Sequence, residues 1–80
     1  TAVAANSIIL CLSNYINEKI YIKWPNDIII NDGKIAGIMT DITEHEGIKY
    51  IIIGIGINIE SSPKLSDYKT CCVNNFNSKL

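Results

Sequence analysis

The sequence predicts an α+β fold in which one amphipathic helix precedes a meander of antiparallel strands. Three observations carry this. Apolar residues recur at helical spacing over the first seventeen positions, isoleucine-rich runs of strand length follow, and short turn sequences closed by glycine separate those runs.

In residues 2–17, Ala5, Ile8, Ile9, Leu12 and Ile16 fall on one helical face and Asn6, Ser13 and Asn17 on the other. The alanines favour the opening turns. Residues 20–23 read as a short strand and 28–30 as a second. "NDG" at 31–33 is a turn, since Asx side chains bond local backbone and glycine accepts positive φ. Residues 34–43 return as a strand, "EHEG" at 44–47 turns again, and 48–59 form the longest strand. After Glu60 the chain becomes a polar loop with Pro63, and residues 68–77 could open another helix with Thr70 as N-cap.

Composition bounds the function. Eighty residues make one small domain, 48% apolar, which excludes a disordered segment. The net charge is −1, and the seven basic residues are all lysine, scattered along the chain. That argues against a nucleic-acid-binding face. Three cysteines without C-x-x-C spacing fit neither a disulfide framework nor a zinc site. Cys11 falls among the apolar helix residues and is expected as a buried thiol, so cysteine use favours a reducing, cytoplasmic setting. The longest apolar stretch, residues 50–57, is far below the ~20 residues of a membrane span. The chain opens on Thr1 and reads as a piece of something longer.

Alternation divides the longest strand into two faces. Lys49, Ile51, Ile53, Ile55, Ile57 and Ile59 share one, expected to lie on the core; Tyr50, Ile52, Gly54, Gly56 and Asn58 share the other. Glycines at consecutive positions of one face allow close approach of a ligand, or of a packed helix. Asn58, next along, could read a polar edge such as that of a purine. The glycines do not make a dinucleotide fingerprint, because Ile59 stands where its third glycine should be.

The run "KWPND" interrupts the isoleucines. Pro25 has no N–H and holds Trp24 extended, so Lys23 ends a strand and can reach over a cleft from a firm backbone. Trp24 is expected to bury its ring. Asn26 and Asp27 are expected to turn the chain, with Asp27 free to orient Lys23 or to help hold magnesium. A strand-end lysine can equally be a solvated charge, and Asp27 a plain turn former. His45 sits in a polar turn without a catalytic partner.

"KWPNDI" at 23–28, "GKIAGIM" at 33–39 and "GIGINI" at 54–59, in this order, resemble the catalytic domain of biotin–protein ligases. The helix "AVAANSIILCL" is similar to the one that precedes the lysine block in that family. The resemblance covers residues 1–59; residues 60–80 would be a loop and the start of the next helix. It implies a mixed, largely antiparallel sheet packed on helices, similar to the class II aminoacyl-tRNA synthetase core. It also implies activation of biotin by ATP with magnesium to biotinyl-5′-adenylate, then acyl transfer to a lysine of a biotin carboxyl carrier domain, and it allows a homodimer. By position, Lys23 matches the lysine that contacts the biotin carboxylate and the adenylate phosphate. Ala36, Gly37 and Ile38 match the biotin pocket wall. Gly54 and Gly56, with Asn58, match the nucleotide side, and Trp24, Asn26 and Asp27 support the lysine.

The family's Gly/Arg-rich loop has no counterpart in this arginine-free chain, so the resemblance implies the central piece of a catalytic domain, unable to turn over alone. Two other readings stay open. "NDIIINDGKIAG" is partly similar to lipoate–protein ligases, and the chain could be an inactive remnant that only binds adenylate.

Overall fold

Helix α1 spans Ala2–Leu12 and buries Ala5, Ile8 and Leu12, the stripe that the spacing predicts. The computed structural model describes residues 2–65 and 67–77. α1 stops short of the predicted residue 17, where backbone bonds tighten from four residues back to three. The Ser13 hydroxyl donates to the Ile9 carbonyl at 2.7 Å. The amides of Asn14 and Tyr15 donate to Cys11 and Leu12, three residues back, at 3.2 and 2.9 Å. Ile16 is still buried beyond the helix end. Cys11 is exposed, not buried, because at 3.6 residues per turn it points about 100° away from Leu12.

Strands β1 (Tyr21–Lys23), β2 (Asp27–Ile30), β3 (Gly33–His45) and β4 (Ile48–Ile57) form one sheet in the order β1-β2-β3-β4, each pair antiparallel. The expected meander is therefore present. The mixed character is confined to an isolated parallel bridge between Lys34 and Thr70. β4 ends at Ile57 rather than residue 59. Past it the backbone divides its bonds between β3 and the tail: Asn58 N–H donates to Ile35 at 2.9 Å, and the Asn58 carbonyl accepts from Val73 at 2.8 Å.

The turns differ in detail from expectation. In "NDG" the left-handed residues are Asn31 (φ 49°) and Asp32 (φ 63°), and Gly33 already belongs to β3. Asn and Asp tolerate that region better than other side chains. The second turn uses Glu46 (φ 51°) and Gly47 (φ 79°). Between β2 and β3 the register slips. Ile28 faces Ala36 while Ile29 faces Lys34, so Ile35 is an extra residue, a β-bulge. Ile35 and Ala36 are consequently both buried.

The core lies between α1 and the β2–β3 region, built around Ile8, Leu12, Ile28, Ile30, Ile35 and Val73. Val73 comes from the tail. No second helix of several turns forms there; Val73–Asn75 is a single 3-10 turn, and Thr70 sits in the bridge to Lys34 instead of capping. The tail is tied down at both ends, with Cys71 N–H donating to Lys34 at 3.0 Å and the Asn77 side-chain amide donating to the Tyr15 carbonyl at 2.8 Å.

The isoleucine wall of β4 does not lie on this core. Ile51, Ile53 and Ile55 are 71%, 49% and 50% exposed. α1 has only 11 residues, about 16 Å at helical rise, and β1 and β2 are short. The outer half of the β3–β4 hairpin runs past everything that could cover it, and only Ile57, at its near end, packs partly against the core.

Candidate ligand site

Lys23 pairs with Asp27, Asp27 with Gly37, and Gly37 with Gly56. Residues directly opposite in a ladder share a sheet face. One row across all four strands therefore reads Lys23–Asp27–Gly37–Gly56, on the face turned away from α1. Two positions along, Gly54 pairs with Met39. A side chain added at Gly56 would meet nothing within 4 Å, and one at Gly54 only Met39 at 3.9 Å. Among the described residues no helix packs over these glycines, and they floor open space.

That space is a hollow of about 730 Å³, bordered by β2, β3 and β4 and, across from them, by Pro63, Leu65 and Tyr68 of the tail. The volume lies within the range of small-molecule sites. Asn26, Asp27, Ala36, Gly37, Ile38, Gly54, Gly56 and Asn58 all border it. Ala36 and Ile38 are each 2% exposed and turned into the core, so they present strand backbone and no pocket-filling side chain. Asn26 extends the β2–β3 ladder by accepting the Ile38 N–H at 2.9 Å. The Asn58 side chain is anchored, its amide donating to the Cys71 carbonyl at 3.1 Å.

Lys23 borders a second hollow of about 440 Å³ on the same face, with Tyr21 and Asp32. The two hollows share Asp27, Lys34 and Tyr68. Lysine and glycines thus lie on the same side of the sheet in adjoining hollows, not around one. Two supporting roles also change. Trp24 is 67% exposed, because it sits in the β1–β2 turn beyond the sheet edge with no layer above it. Asp27 does not turn the chain but opens β2, and its carboxylate pairs with Lys34 rather than Lys23, Nζ to Oδ1 at 3.1 Å.

Sequence reasoning missed Lys34. Strict alternation back from Gly37 assigns Lys34 to the core face with Ala36 and Ile38. The bulge at Ile35 reverses that and swings Lys34 over the hollow. Its terminal carbon and nitrogen lie 3.2 and 3.3 Å from where a side chain on Gly37 would begin, and the ammonium is 5.5 Å from the Tyr68 ring centre. Lys34 and Asp27 are the charged residues that border the larger hollow among the described residues. No group of three or more His, Cys, Asp or Glu among them could hold a metal ion. Asp27, which the sequence offered as an aid to magnesium, is paired with Lys34.

An antiparallel sheet with a glycine-floored hollow and two lysines on its open face makes a candidate small-ligand site. Residues 2–58 match the biotin/lipoate A/B protein ligase family, and the chain belongs to it. It is 39% identical over 64 residues to the bifunctional ligase/repressor BirA of Bacillus subtilis, covering 79% of this chain and 20% of that protein. It is 39% identical over 46 residues to the biotin–[acetyl-CoA-carboxylase] ligase of Paracoccus denitrificans, covering 56% and 19%. The corresponding ligase of Mycobacterium tuberculosis is 33% identical over 46 residues, covering 58% and 16%. The chain spans about a fifth of the length of the first two relatives.

Proposed function

We propose that the chain is the central part of a biotin–protein ligase catalytic domain and contributes to an adenylyl-transfer step and an acyl-transfer step. In the first, a biotin carboxylate oxygen attacks the α-phosphorus of ATP. A P–O bond forms, the α–β bridge breaks, and pyrophosphate leaves. In the second, a lysine amine of a biotin carboxyl carrier domain attacks the acyl carbon, AMP departs, and the amine loses a proton. The observation that carries this reading is the Lys23–Asp27–Gly37–Gly56 row, which sets a cation and bare backbone on one face of a family sheet.

Charge gathers on phosphoryl oxygens in the first step, and a cation held by a strand end stabilises it without reorganising. Lys23 has that role, at the acyl–phosphate junction. Gly37 and the backbone of Ala36 and Ile38 supply the biotin wall, while Gly54, Gly56 and Asn58 supply the nucleotide side. A reducing, cytoplasmic setting belongs to the same reading.

Calorimetric titration of the intact protein that carries the chain, with biotin and with lipoate, tests the substrate class. Tighter binding of biotin is expected; tighter binding of lipoate replaces this reading with lipoate ligation. In the intact protein that carries the chain, Lys23→Ala should lower adenylate formation by about 10²–10³ with the melting curve unchanged. Wild-type pyrophosphate release in that variant removes the role of Lys23.

A further inference from the structure

We propose that Lys34 is a second cation, besides Lys23, and receives an anionic oxygen of a ligand seated in the larger hollow. The nature of that anion, a carboxylate or a phosphoryl group, rests on the function proposed above; the site rests on geometry. Lys23 does not border the larger hollow, whereas Lys34 does. Lys34 also stands on the wall between the two hollows, so it can serve a ligand that extends through both.

Its placement is built by several independent elements. The bulge at Ile35 turns the side chain onto the ligand face. The absent side chain at Gly37 leaves a groove for the lysine's end, since even a methyl there would crowd it at 3.2 Å. Asp27, one strand over, holds the ammonium at 3.1 Å, and Tyr68 of the tail faces it. The bridge partner of Lys34 is Thr70, and the backbone on either side of that bridge is bonded at 3.0 Å, so its strand position is pinned. An ammonium has three donors and no acceptor. With one directed at Asp27, others can face an anion lying over Gly37 and Gly56.

The test is binding by the 80-residue chain to two ligand pairs that differ in charge: AMP against adenosine, and biotin against its uncharged amide. The wild-type chain should prefer the charged member of at least one pair. Lys34→Met should cut that preference roughly tenfold, the scale of a charge-assisted hydrogen bond, and leave the uncharged ligands within about twofold. Lys34→Arg should retain it, and Lys34→Gln replaces the Met variant if that one melts early. A loss confined to AMP identifies a phosphoryl contact, and one confined to biotin a carboxylate contact. A charged-ligand preference that survives both neutral variants overturns the role of Lys34 and leaves the ligase reading standing. A wild-type chain that binds none of the four overturns this assignment and leaves the ligase reading to the titration of the intact protein.

Discussion

Gly33 shows how one residue can be needed for a reason other than the one its neighbours suggest. In "NDG" it reads as the positive-φ residue of a turn, yet Asn31 and Asp32 take that conformation and Gly33 is extended. Its constraint is contact. A methyl at Gly33 would sit 3.1 Å from the Cys71 sulfur and 3.2 Å from its β-carbon. Cys71 cannot give way easily, because its N–H donates to the Lys34 carbonyl and its thiol donates to the Gly33 carbonyl at 3.3 Å. Gly33→Ala should therefore destabilise by about 1–3 kcal/mol, as overpacking does, measured by urea denaturation. Burial, and then the neighbouring Cys72, push the Cys71 thiol above its ordinary value, with Lys69 pulling the other way. The folded chain holds a proton that the unfolded chain gives up. That contribution is complete below the ordinary thiol range and is lost as pH rises through it to the raised folded value. The Tm difference between wild type and Cys71→Ala should shrink across that alkaline window.

At the scale of elements, α1 was legible because its apolar stripe repeats at 3.6 residues, and its end was not. Past Leu12 the amides of Asn14 and Tyr15 bond three residues back rather than four, a tightening that the apolar spacing does not encode. The strands of the meander were legible from their isoleucine runs and turn residues. The bulge at Ile35 was not, because nothing in "GKIAG" distinguishes a regular strand from one with an extra residue. That single slip hid Lys34 from the site. α1 docks through Ile8 and Leu12 on a sheet of only four strands. Leu12→Ala should cost about 2–5 kcal/mol and lower Tm by roughly 10 °C or more for a domain of this size, read by calorimetry.

The whole chain has a well-covered half and a bare half. Ile51, Ile53 and Ile55 face solvent, and β4 is an edge strand among the described residues. An exposed, apolar edge strand is a template for pairing with another chain. The isolated chain should self-associate as its concentration rises, and Ile53→Lys should shift it toward monomer with little change in Tm. Sedimentation velocity measures both. A monomer at all concentrations would mean that this face is harmless in water.

Sequence by itself determined the order and kind of the elements, the strand-end position of Lys23, the placing of Gly54 and Gly56 on one strand face, and the family resemblance. Those features are local: periodicity, turn chemistry and short motifs act within a few residues. Tertiary structure alone decided which faces are covered, that Asp27 holds Lys34 rather than Lys23, and that the lysines border two adjoining hollows. Each of these depends on register and on the reach of α1 and the tail, and a one-residue slip in register moves a side chain to the opposite face of a sheet.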